Sequence, residues 1–199
     1  MLFMNEKYCL QWVSLLIYYE RQVHWIMKNK VLIVVDFQND FITGTLGSAE
    51  AVSIVQTVVE KIKNCKAEGY QIYVTMDTHH ENYKFTQEGK WLPVEHCREK
   101  EEGWQLHPEV RELLADCPVY KKETFGSTKL ALDIRNQNPD SIELIGVCTD
   151  ICVVSNALLL KAFLPEIPIS VDSKCCAGVT PKKHKAALET MASCQIKII

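Results

Sequence analysis

Short apolar runs alternate along the chain with stretches in which apolar positions recur every three or four residues. Val31-Leu32-Ile33-Val34-Val35 is continuously apolar and stops at Asp36, as expected of a strand buried on both faces. Ala51, Val52, Val55, Val58, Val59 and Ile62 then follow the helical period up to Gly69, where glycine tolerates a left-handed stop. Tyr70 to Met76 reads as a second strand. The segment from Asp77 to His107 has no sustained period and contains Gly89, Pro93 and Gly103; loops of this length are usually functional or disordered.

The alternation continues beyond that loop. A short helix is expected at Pro108–Ala115, a strand beginning at Val119-Tyr120, and a helix at Leu130–Arg135. Ile142–Val147 and Ile167–Val171 read as strands, with a helix over Asp150–Phe163 between them. Thr180-Pro181 opens a further helix, a capping hydroxyl followed by proline at the first helical position, and Ile196–Ile199 closes with a sixth strand. This order predicts an α/β fold: a doubly wound, mainly parallel six-stranded sheet with helices on both faces, in the Rossmann-like manner.

The 199 residues fit one such domain. A net charge of −3 and the lack of a basic stripe argue against a nucleic-acid partner. Nine cysteines show neither a disulfide framework nor paired Cys-x-x-Cys motifs, which favours a reducing, cytoplasmic setting. Residues 1–26 differ in character from the rest and are expected to be an N-terminal extension, with Met27 as a native start and residues 27–199 as the domain. The apolar stretch Cys9–Tyr19 spans 11 residues, too short for a membrane span of about 20.

Candidate chemistry collects after the predicted strands, where ligands bind in open α/β sheets. Cys152 lies where a strand gives way to a helix, and Thr149 is a plausible N-cap. Amide hydrogens and the positive end of the helix would then favour its thiolate. Cys148 is not at Cys-x-x-Cys spacing from it. Asp36 could take a proton from such a thiol and return it to a leaving amine. Lys122 could hold the aspartate ionised and stabilise developing negative charge, with Lys121 pointing to the opposite face. Asp77, His79 and His80, with His96 further along the loop, offer one carboxylate and up to three imidazoles, and Asp-x-His with a distant His is a reasonable ligand set for zinc, manganese or iron. Each residue also has a plain structural reading: a buried hydrophobic cysteine, a loop-capping aspartate, a solvated lysine, unrelated loop histidines.

Taken together and in order, Asp36-Phe-Gln38-Asn39-Asp40-Phe41, Asp77-Thr78-His79, Pro93-Val-Glu-His96-Cys97, Lys122-Glu-Thr-Phe125-Gly126-Ser127 and Gly146-Val-Cys148-Thr149-Asp150-Ile151-Cys152-Val153 resemble the isochorismatase-like cysteine hydrolases, closest to the nicotinamidase-related amidases. The resemblance implies a catalytic triad of Asp36, Lys122 and Cys152 acting through a thioester on nicotinamide or a similar small carboxamide. It implies a cis Val147–Cys148 peptide, with the backbone N–H groups of Cys148 and Cys152 as oxyanion hole. It also implies a divalent metal, zinc first, on Asp77, His79 and His96, and self-association into a homo-oligomer. His80 has no counterpart in that set. Thr78 stands where family members tend to carry tryptophan, which leaves the particular amide open. Another small amide or ureide, an isochorismate-type substrate, and a catalytically silent binding or redox module are the competing readings.

Overall fold

The computed structural model describes residues 29–199; the expected extension and the start at Met27 lie outside them. Six strands form one sheet: β1 (Lys30–Val35), β2 (Gln71–Asp77), β3 (Val119–Lys122), β4 (Ser141–Val147), β5 (Ile169–Ala177) and β6 (Lys197–Ile198). Their spatial order is β3-β2-β1-β4-β5-β6, and every pairing is parallel. The sheet is therefore wholly parallel. The chain reverses direction across the sheet between β1 and β4, which puts the expected ligand crevice beyond the ends of those two strands.

Strand alternation builds the two cores. Leu32 and Val34 of β1 face one side, where Val55, Val58 and Ile62 of helix Val55–Ala67 cover them. Val31, Ile33 and Val35 face the other side, against Leu130 and Ile134 of helix Thr128–Gln137 and Ala157 and Leu160 of helix Val154–Phe163. With both faces covered, β1 has no polar position to spare, which explains its unbroken apolar run.

Several boundaries differ from expectation for local reasons. The helix expected from Ala51 onward divides into Ala49–Ser53 and Val55–Ala67, and its stop is at Gly69, with φ of 77°. β5 runs on to Ala177, with a register shift opposite Leu144–Gly146. The helix expected from Asp150 begins instead with a wide π-type turn at Thr149–Val153. Thr149 does not cap it: the residue before the turn is Cys148, with no side-chain cap. The Thr149 hydroxyl lies 2.8 Å from His184 Nδ1 instead. Among the described residues no helix is long and apolar enough to cross a membrane, and the eight cysteines are all free thiols.

Candidate active site

Asp36 is the residue at which β1 ends. Its backbone turns left-handed, with φ of 47°, a conformation aspartate tolerates better than most residues. The carboxyl is fully buried and accepts from Thr75 Oγ1 of β2 at 2.7 Å. Asp77 and Lys122 end β2 and β3 and are register partners, so the pairing of two neighbouring strands sets a carboxylate beside an ammonium. Lys121 points the other way, to Glu99 at 2.7 Å.

Lys122 Nζ joins the groups. It lies 2.7 Å from Asp36 Oδ2, 3.2 Å from Asp77 Oδ1 and 3.5 Å from Cys152 Sγ. The three residues picked out along the sequence, Asp36, Lys122 and Cys152, meet at one buried point on either side of the strand-order reversal. Gly146 allows that approach. Its φ is 121°, and a Cβ there would lie 2.1 Å from the Val35 carbonyl oxygen, so only glycine permits β4 to lie against the end of β1. One residue further, the Val147–Cys148 peptide is cis. Cys148 and Cys152 both line the adjoining cavity.

The charges in this group compete. Burial drives the Asp36 carboxyl above the usual carboxylate range, against the pull of Lys122. Burial also lifts the Cys152 thiol well above its ordinary value, and Asp36 adds to that, with Lys122 opposing. Lys122 itself is disfavoured by burial yet held firmly protonated by Asp36, Cys152 and Asp77. The preformed thiolate expected from the helix start is therefore outweighed. One cation faces three acidic groups in a dry site, so burial and Asp36 both work against a thiolate at Cys152.

Next to this group lies a second one. Ligand atoms of Asp77, His79, Glu88 and His96 all fall within 4.8 Å of one another. His79 Nε2 is 3.0 Å and His96 Nε2 3.5 Å from Asp77 Oδ2, and each is 3.7 Å from Glu88 Oε1. His96 Nδ1 lies 2.8 Å from the Val94 carbonyl oxygen. A carbonyl only accepts, so Nδ1 carries the proton and the Nε2 lone pair faces the cluster. His79 Nε2 is buried there without a hydrogen-bond partner. Two inward imidazole nitrogens and two carboxylates fit a divalent cation of the nitrogen- and oxygen-binding kind. Burial opposes ionisation of Asp77, but the neighbouring imidazoles of His79 and His96 and the charge of Lys122 outweigh it and hold the group below the usual range.

Glu88 was absent from the sequence-based set. It sits in the five-residue helix Gln87–Trp91 inside the long loop, and no spacing ties it to the histidines. His80 stays outside, half exposed and near Glu99 and Glu123. Both groups open on a cavity of about 1090 Å³ with mainly apolar walls, including Phe41, Leu46, Phe125 and Ile151. Thr78 also lines it, and its hydroxyl accepts from Trp104 Nε1 at 2.9 Å.

The family model of the isochorismatase domain matches residues 30–199. An isochorismatase family protein of Bacillus subtilis, PncA, is 28% identical, over 82% of this chain and 94% of its own length. The nicotinamidase/pyrazinamidase of Mycobacterium tuberculosis is 26% identical, over 85% of this chain and 98% of its own. Among solved structures, the pyrazinamidase of Pyrococcus horikoshii in complex with zinc superposes with a TM-score of 0.73 at 28% identity, covering 86% of this chain and 98% of that one. The chain belongs to the isochorismatase family, and the relatives it matches include nicotinamidases.

Proposed function

We propose that this protein is a cysteine-dependent amidohydrolase that converts nicotinamide or a similar small carboxamide to the acid and ammonia. The observation that carries the reading is the contact of one buried ammonium with both Asp36 and the Cys152 sulfur, beside a metal-ligand cluster in the same cavity. Cys152 Sγ attacks the amide carbon while its proton passes to Asp36. The carbon–nitrogen bond breaks as Asp36 returns that proton to the departing nitrogen, leaving ammonia and a thioester. Water then gives a proton to Asp36 and attacks the thioester, and the carbon–sulfur bond breaks as Asp36 passes that proton to the sulfur, which releases the acid and restores the thiol. Lys122 offsets the negative charge that moves between sulfur and carboxylate. Backbone N–H groups of Cys148 and Cys152 are the proposed oxyanion donors.

Asp77, His79, His96 and Glu88 would hold the cation, zinc in the first instance and manganese or iron as alternatives. When bound, the ion supplies a Lewis-acid docking point for a ring nitrogen or water. His79→Ala or His96→Ala should weaken zinc binding by more than the roughly 10- to 100-fold that outer partners contribute, read by equilibrium metal titration. Unchanged affinity in both variants would remove this cluster as the metal site. The reduced thiols suit the cytoplasm.

The test is ammonia release from nicotinamide and a panel of small primary amides by the zinc-loaded protein. No turnover of any of them would end the reading. The pH dependence has a defined sign. Asp36 must be ionised to take the thiol proton, and burial raises its pKa. The rate kcat/KM should therefore rise with pH along a limb displaced above the ordinary carboxylate range of about 4. A limb at or below that range contradicts the role given to Asp36.

A further inference from the structure

Thr149 follows the cis peptide directly and is completely buried. The turn that it begins is closed on the inner side by its own backbone, with Ile151 N and Val153 N both donating to the Cys148 carbonyl at 3.1 and 3.0 Å. On the outer side its hydroxyl meets His184 Nδ1 at 2.8 Å, 35 residues away in the chain. His184 belongs to the first turn of helix Pro181–Ser193, and its own N–H donates to the capping residue Thr180 at 2.9 Å. A second tie runs alongside: Asp150 Oδ1 accepts from Val179 N at 2.8 Å. Between them the backbone at Gly178 is so close that a Cβ would lie 2.7 Å from Asp150 Oδ1 and 2.9 Å from His184 Cα. Gly178, Val179 and Lys183 line the cavity, whereas His184 does not.

We infer that His184 is a positioning residue that, through the Thr149 hydroxyl, fixes the orientation of the Cys148–Cys152 turn and so of the proposed oxyanion donors. The inference rests on the amidase reading. The backbone amides of a turn can be aimed at one oxygen only if the turn cannot rock about its ends. Here the inner hydrogen bonds hold its shape, and the His184–Thr149 contact anchors it to a rigid helix. His184 does not line the cavity, so its loss should leave ground-state binding and thiol access intact.

The test uses the full-length, zinc-loaded protein. His184→Leu, which keeps bulk but removes the nitrogen, should lower kcat roughly 10- to 100-fold, less than the loss of a whole oxyanion donor. KM and the rate of Cys152 alkylation by iodoacetamide should stay within about twofold. His184→Asn, which can place a polar atom near the Nδ1 position, should recover most of kcat. Thr149→Val should match His184→Leu, and the double variant should fall no further than either single one. Circular dichroism and melting curves identify any variant that fails to fold, in which case the His184→Asn and Thr149→Val pair decides. Parent-like kcat in His184→Leu or Thr149→Val, equal losses in Leu and Asn variants, or additive losses in the double variant would overturn the positioning role. An inactive parent enzyme would instead overturn the amidase reading beneath it.

Discussion

Cys152→Ala should lose amide turnover by at least roughly 10,000-fold while keeping the fold. The argument is chemical before it is numerical. Among the described residues, Cys152 is the thiol in contact with Lys122 Nζ, at 3.5 Å, and its pKa responds to Asp36 as well. Cys148, the other thiol on the cavity wall, is likewise pushed up by burial, to about 12, but it makes no hydrogen bond with Lys122, which contacts Cys152 instead, so it is poorly placed to act as a substitute. Removing one sulfur from a buried site should cost no more than about 1–3 kcal/mol of stability. Ammonia release at saturating nicotinamide measures the loss. Hydroxylamine trapping adds a second reading, because an acyl-enzyme yields a hydroxamate in the parent and none in the variant. Turnover within about tenfold of the parent would show that the sulfur is not the nucleophile.

Lys122→Met should fail in two ways at once. The substitution keeps most of the side-chain length but removes the ammonium that contacts Asp36, Asp77 and Cys152. Breaking a buried ion pair from one side leaves an uncompensated charge and costs about 3–5 kcal/mol. For a domain of this size that corresponds to a melting temperature lower by roughly 10 °C. Part of the cost should be met by protonation of Asp36, whose pKa already lies above the usual range from burial. That protonation removes the proposed base, so kcat should fall by at least about 100-fold even where the variant is folded. Calorimetry and steady-state kinetics on one preparation separate the two effects. A stable variant with parent-like kcat would assign the lysine to neither role.

The sheet was legible in the sequence because its strands are buried on both faces. Val31–Val35 has no polar interruption, and Asp36 marks its end as plainly as any residue could. The candidate triad was legible for the same reason: Asp36 follows β1, Lys122 ends β3 and Cys152 lies in the turn after β4, and parallel strands deliver such positions to one edge. Glu88 was not legible. Its approach to His79 and His96 depends on how residues 77–107 fold back on themselves, which no periodicity encodes. Thr149 was misread because a hydroxyl at a helix start usually caps it; a histidine 35 residues later competes for the same oxygen, and local spacing carries no trace of that. The opposition that the Cys152 thiolate meets was hidden in a related way. A helix start and a lysine are visible in a string of residues, but the burial of two carboxylates beside them is not.

Gly146 has an implication for how tolerant this architecture is. Where β4 meets β1, main chain rests on main chain with no side chain between them. The separation between the strand ends that carry Asp36 and lead to the Cys152 turn is therefore set by the hydrogen-bonded spacing of two adjacent strands, a dimension that varies little. Hydrophobic substitutions in the layers above and below can drift over evolutionary time, each loosening or tightening its own neighbourhood, without retuning that separation.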